Sequence, residues 1–298
     1  MKNSKKTIWN VISAIISIIL CVGIGLSLLM ATLMREQREY LASEGLRNQI
    51  QSTELDEIKF IKNGEKMTLM DYLVDNVEDY VAQRLPKLSK FSGYAVDKIL
   101  SSERVTQSIR DHIIDLLDYV LYTDTQLAQQ RVDNNVSIRE NEDFMPEEAK
   151  NIDDYIDRVI KTVTLEVVED ISGMDIDQIT VALSEDNAKK YEKIAIILFV
   201  VMILINVLRI ENAFLFGGIA LAVSGVGIKL VQSKYSSLVE GGEDLVTYIY
   251  LKPYMDSLTE NAVKMLVIAM ALVGVFLVLL LLRPRIKELF QSKKSKAA

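Results

Sequence analysis

Four stretches of this chain carry no charged residue: residues 7–34, 194–208, 212–228 and 265–282, which are 28, 15, 17 and 18 residues long. A helix that crosses a hydrocarbon core of about 30 Å needs about 20 mostly apolar residues. The first stretch is ample and the last adequate. The middle two reach that length when Lys193, Arg209 and Lys229 lie at helix ends and extend their charged heads into the interface. The expected architecture is an all-α integral membrane protein with four transmembrane helices. A large, mainly α-helical extracytoplasmic domain is inserted between the first and the second.

The boundaries follow from the charges. Residues 1–6 form a basic head, 7–34 the first span, 35–193 the inserted domain, 194–210 the second span and 211–231 the third. Residues 232–262 make an outer loop, 263–282 the fourth span and 283–298 a tail. The head MKNSKK resembles the basic start of a cleaved signal. A signal core, however, runs about 7–15 residues to a small-residue cleavage site, and here 28 uncharged residues end in Ala-Thr-Leu-Met-Arg. A retained anchor is the better reading. Cys21 follows the bulky run Ile18-Ile19-Leu20, unlike a lipid-modified cysteine, and reads as a buried thiol.

Lys and Arg in short flanks face the cytoplasm. Lys2, Lys5 and Lys6 flank the first span, and the tail holds six Lys plus Arg against Glu288, so both termini are expected inside a plasma membrane. A re-entrant hairpin over residues 194–228 leaves the termini on one side as well, so charge alone does not separate it from two full spans. The overall net charge of −7 then divides unevenly: residues 35–193 hold 20 Lys plus Arg against 34 Asp plus Glu, net −14. An acidic exterior disfavours nucleic acid, while the basic tail suits an anionic inner leaflet. The 159 inserted residues contain no cysteine, which suits a bacterial exported domain held by packing alone.

Helical periodicity dominates that domain. Met70, Leu73, Val74, Val77, Val81 and Leu85 form one stripe, opened by a Thr68/Asp71 capping box and closed by Pro86. Val105, Ile109, Ile113, Leu116 and Val120 form a second. Ile152, Ile156, Val159, Val163 and Val167 form a third, with Pro146 at a first-turn position. Shorter helices are expected over 94–100 and 175–183. Asn63-Gly64 between apolar flanks predicts a small β-hairpin. Residues 35–46 and 185–193 contain no proline, so both junctions are expected to continue the span helices.

Candidate chemistry is sparse. His112 is the one histidine, beside an apolar stripe, and reads as a partly buried group donating to a neighbouring carbonyl or carboxylate rather than as a catalytic one. Asp111, Asp115 and Asp118 share one helical face, weak candidates for a hard cation because no liganding loop surrounds them. Serine and cysteine hydrolases need a histidine or lysine base within hydrogen-bond reach, and zinc peptidases several histidine or acidic ligands, which a single histidine does not favour; no Walker-type phosphate loop occurs. No cofactor is expected. Lys229 and Lys264 lie at span ends, where they either extend to the interface or line an outer vestibule. Ser13, Ser17, Cys21 and Gly25 repeat every four residues in the first span, and Gly217, Ala220, Ser224 and Gly227 form a stripe in the third. Such faces allow close helix packing within the chain or between copies. The expected function is non-enzymatic: an extracytoplasmic sensing, scaffolding or accessory subunit, anchored in the lipid bilayer, that binds a protein or envelope partner. The alternative is an oligomeric channel or transport component assembled from the small-residue faces.

Overall fold

Apolar runs and helical stripes leave little room for sheet, and the computed structural model is almost wholly helical. It describes residues 2–54, 59–62, 65–84, 102–138, 144–146, 150, 152–241 and 252–295. The helices are α1 (Lys2–Leu41), α2 (Glu44–Ser52), α3 (Leu69–Arg84), α4 (Glu103–Tyr122), α5 (Thr125–Asn134) and α6 (Ile152–Ser172). They continue as α7 (Ile176–Ala182), α8 (Glu185–Ile205), α9 (Ile210–Gly241) and α10 (Lys252–Ser295). The chain divides into two units. One comprises Met1–Leu33, Ala188–Tyr235 and Met255–Ala298; the other comprises Met34–Asn187 and Ser236–Tyr254.

In the second unit the hairpin is present: β1 (Lys59–Lys62) pairs antiparallel with β2 (Glu65–Thr68), and Lys62 faces Glu65. The Asn63-Gly64 turn itself lies outside the described residues. Where β2 ends, Asp71 N–H donates to Thr68 Oγ1 (3.0 Å) and Thr68 N–H to Asp71 Oδ2 (3.2 Å), so the capping box closes reciprocally and opens α3. Leu85, Pro86 and the helix expected over 94–100 also lie outside the described residues.

Helix α4 is shared by two apolar clusters. Its first half sends Val105 and Ile109 against Leu73 of α3 and Ile160 and Val163 of α6. Its second half sends Leu116 and Val120 against Leu165, Ile176 and Leu183. The stripe read from the sequence is thus one continuous face serving two cores.

Two local expectations are corrected, and one helix is added. The junction after the first span, expected to continue its helix through residue 46, instead breaks at Ala42-Ser43, because Ser43 caps α2 by accepting from Leu46 N–H (3.2 Å). Pro146 precedes α6 rather than sitting in its first turn; α6 opens at Ile152, with Lys150 N–H donating to Asp154 Oδ2 (2.8 Å). Helix α5 was not foreseen, though Asp124 caps it through Gln126 N–H and Asn135 ends it in the left-handed conformation (φ 53°).

Arg38, near the end of α1, donates to the carbonyls of Leu121 and Leu183, at the C-terminal ends of α4 and α7. A cation there satisfies carbonyls that a helix end leaves open and complements the helix dipoles. Arg38→Ala is expected to cost about 1–3 kcal/mol, the usual scale of a hydrogen bond to a charged group. Chemical denaturation in detergent micelles checks this, with Arg38→Lys expected to lose less.

Among the described residues, three helical segments are long and apolar enough to cross a membrane: Val11–Leu41, Ile210–Lys234 and Tyr254–Pro284. They mark the chain as a membrane protein. Helix α8 is not among them, for a physical reason. Its uncharged part starts at Ile194, and the helix stops at Ile205 because the buried Asn206 turns its amide back to Met202 O (2.9 Å) and across to Ser17 Oγ (2.8 Å). Those 12 residues rise only about 18 Å at about 1.5 Å each. A 3₁₀ turn, Val207–Arg209, then leads into α9.

The small residues pack within the chain. A Cβ on Gly25 would meet Ala220 O and Val223 Cγ1 at 2.8 Å, and one on Gly227 would meet Leu29 Cδ2 at 2.8 Å. On the other side of α9, Gly218 lies against Ala269 O and Gly225 against Ala262 O. Cys21 and Ala220 join Ile24, Ala195 and Met202 in a buried cluster uniting α1, α8 and α9. At the start of α9, Glu211 forms an ion pair of 2.7 Å with Arg283 of α10.

Candidate functional site

A set of described polar groups converges in the second unit, along the face of α4 between and beside its two apolar clusters. His112 is 9 % exposed, and its Nε2 lies 3.0 Å from Asp157 Oδ1 of α6 and 3.3 Å from Ser108 Oγ. This is the buried histidine on a carboxylate that its place beside the stripe predicts. Asp157 Oδ2 also holds Lys161 Nζ at 3.3 Å. Seven residues beyond His112, two turns further along the helix, Tyr119 donates its hydroxyl to Asp177 Oδ1 (2.6 Å) and accepts from Arg131 Nη1 (2.7 Å).

Both networks border one cavity of about 270 Å³. Among the described residues, its polar wall is His112, Asp115, Tyr119, Arg131 and Lys161, and its apolar wall is Leu116, Ile138 and Phe144. Asp157 and Asp177 do not border it. The cations therefore stand at the wall, and the carboxylates that hold them stand behind. The size is at the small end for ligand pockets, and the mixture of an apolar wall with a few polar groups is typical of them.

The electrostatics follow from depth. Burial pushes the Asp177 carboxyl up, and the Tyr119 hydroxyl and Arg131 charge offset this only in part. Asp177 is 1 % exposed and its Oδ2 has no hydrogen-bond partner among the described residues. Burial and the bond to Asp177 push the Tyr119 phenol up as well, so it is a neutral donor at physiological pH. Asp157 goes the other way: burial raises it, but the hydrogen bond and charge of His112 with the charge of Lys161 outweigh burial, and the carboxyl sits below its ordinary value.

That sign fixes a pH dependence. A carboxyl with a depressed folded-state pKa contributes stability that is fully present above its unfolded value, about 3.9, and is lost as pH falls through the folded value. Wild type is therefore expected to exceed Asp157→Asn in melting temperature at pH 5, and the gap is expected to shrink below about pH 4. Thermal melts at pH 5.0, 4.0 and 3.0 check this.

The three aspartates considered for a cation are engaged separately. Asp118 binds Arg47 in a salt bridge. Asp111 accepts from Gln51 (3.1 Å) and Gln107 (2.9 Å). Asp115 is 75 % exposed, 3.7 Å from His112 Nδ1. Among the described residues no group of three His, Cys, Asp or Glu side chains is placed to hold a metal ion. Of these three, only Asp115 reaches the cavity.

In the first unit Lys229 donates to Gln232 (3.1 Å) and Lys264 pairs with Glu260 (2.8 Å). Ser17, Cys21, Ala220 and Ser224 are buried, Cys21 donating to Phe216 O (3.0 Å) and Ser224 to Met265 Sδ (3.2 Å). Gly217 faces Phe199, and Ser13 lies in α1 one turn before Ser17. Sequence reasoning missed Arg131, Lys161, Tyr119, Ile138 and Phe144. They come together only through folding, although the Asp124 cap and the Asn134-Asn135 end signalled the helix that carries Arg131.

Comparison with protein-family models, with curated proteins and with solved structures gives no significant match.

Proposed function

We propose that this protein is a non-enzymatic, four-span membrane subunit whose second unit faces the exterior and senses or binds there, with both termini in the cytoplasm of a bacterial cell. The observation that carries the reading is a ligand-sized cavity with charged and apolar walls in the polar unit. In the cavity, the groups able to act as acid or base are tied to structural partners: His112 to Asp157, and Tyr119 to Asp177 and Arg131.

Two facts support four spans. With α1, α9 and α10 alone crossing, the basic head and basic tail would lie on opposite sides, against the positive-inside tendency. The Glu211–Arg283 ion pair also brings the start of α9 level with the end of the apolar part of α10, as two antiparallel spans require. A chain that begins α9 inside and holds residues 35–193 outside must cross through α8. Ile196, Ile197, Val200 and Leu204 of α8 are 48–65 % exposed, an apolar row suited to lipid. Local thinning of the bilayer and the lysines at 189, 190 and 193 accommodate its short apolar length.

The small-residue faces are consumed by contacts within the chain, which supports a self-contained membrane unit over a pore built from copies. The test is reconstitution: the purified protein is expected to be monomeric in detergent and to give no ion flux in liposomes. A stable oligomer with flux altered by Lys229→Ala or Lys264→Ala would contradict the proposal.

A further inference from the structure

The cavity has a polarity that indicates its ligand. Arg131 spends Nη1 on the Tyr119 hydroxyl, and its remaining guanidinium nitrogens have no hydrogen-bond partner among the described residues. Among the described residues, the carboxylate paired with it, Asp177 Oδ1, is 4.0 Å away, beyond hydrogen-bond reach. Arg131 therefore presents positive charge and spare donors at the cavity wall, held in place from behind. A planar guanidinium with donors to spare is matched best by a carboxylate, which it grips with two parallel bonds.

The opposite end differs. His112 and Tyr119 are seven residues apart on α4, about 10 Å along its axis. At the His112 end Lys161 is balanced by Asp157, and Asp115 stands at the wall, largely exposed. A second anionic group would meet Asp115 there. Between the two ends lie Leu116, 8 % exposed, Ile138, 6 % exposed, and Phe144. An apolar body resting on them gains about 25 cal/mol per Å² removed from water.

We propose that this cavity binds a small monocarboxylate with an apolar body, its carboxylate on Arg131 and its body against Leu116, Ile138 and Phe144. The inference deepens the binding role proposed above and rests on it, but it is read from the purified protein and does not depend on membrane topology or on any protein partner. Dianions are disfavoured by Asp115. Neutral isosteres lose the guanidinium contact.

The experiment is titration calorimetry of the full-length protein in nanodiscs with phenylacetate, and with phenylacetamide, L-phenylalanine and glutarate for comparison. Phenylacetate is expected to bind, with the other three at least about tenfold weaker, and Arg131→Gln is expected to lower phenylacetate affinity by about tenfold or more, the scale of losing a charged hydrogen bond. Should Arg131→Gln melt early through loss of the Tyr119 bond, Lys161→Glu supplies the second readout. It introduces a negative charge at the cavity wall from a side chain that is 30 % exposed, and a similar loss is expected. Absence of phenylacetate binding at ligand concentrations up to about 10 mM would overturn the proposal. So would equal binding of phenylacetamide, tighter binding of L-phenylalanine or glutarate, or affinity unchanged in the folded variants. None of these outcomes bears on oligomeric state or flux, so the wider functional reading is tested separately.

Discussion

Ile109→Ala is expected to destabilise the protein by about 2–5 kcal/mol, the range for truncating a fully buried branched side chain. Ile109 is 0 % exposed at the centre of the cluster in which α3, α4 and α6 meet, with Leu73, Ile160 and Val163 around it. These neighbours come from two other helices, α3 and α6, so the cavity left behind cannot be closed by shifting one of them. The lost transfer energy and the residual void both count. Denaturant unfolding followed by circular dichroism reads the change, and Leu127→Ala, at a side chain 45 % exposed, is the control expected to stay within about 0.5 kcal/mol. The same substitution is expected to weaken the bond between His112 and Asp157, because Ile109 lies one turn before His112 on the same helix.

Gly25→Ala is the second large effect, expected at about 1–3 kcal/mol. An added methyl would sit 2.8 Å from a backbone oxygen, Ala220 O, and from Val223 Cγ1, so α1 and α9 must move apart. Moving them also disturbs Cys21, Ile24 and Met202, which close the same cluster. Gly274→Ala is the matched control, since a Cβ there meets nothing within 4 Å. Loss of one helix-weakening glycine is expected to leave stability unchanged or slightly raised. Thermal unfolding in a mild detergent distinguishes the two, and equal behaviour would contradict the close approach of α1 and α9.

What the sequence makes legible is what local chemistry dictates. Charge-free length finds the long apolar helices; periodicity finds the stripes of α3, α4 and α6; the Thr68/Asp71 box and the flanks of Asn63-Gly64 find the hairpin and the helix after it. Each of these signals lies within a dozen or so neighbouring residues. The end of α8 was less visible because the residue that stops it, Asn206, is uncharged and sits inside an apolar run, and its reason for turning there is Ser17, 189 positions away. Helix α5 was overlooked because it is mostly polar and buries only Ala128 fully, so its caps were the sole sign.

The candidate site was the least legible part. His112 drew notice because it is unique, and its carboxylate partner was foreseen in kind but not in identity. Arg131 and Lys161 look like ordinary surface cations in sequence. Their significance comes from Asp177 and Asp157 holding them from the far side, and from Ile138 and Phe144 arriving from the segment that follows α5. None of those relations has a sequence period. The acidic stripe of Asp111, Asp115 and Asp118, in contrast, is conspicuous in sequence and disperses to three separate environments in the fold.

The central claim is that residues 35–193 lie outside and that α8 carries the chain across the membrane. Single cysteines in a Cys21→Ser background test it directly, since Cys21 is the one native cysteine and serine retains its hydrogen bond to Phe216 O. In intact spheroplasts a membrane-impermeant maleimide is expected to label Val136→Cys, on the exposed segment after α5, and to leave Val207→Cys and Ser292→Cys unlabelled until the membrane is opened. Labelling of Val207→Cys in intact spheroplasts, or protection of Val136→Cys, would contradict the account.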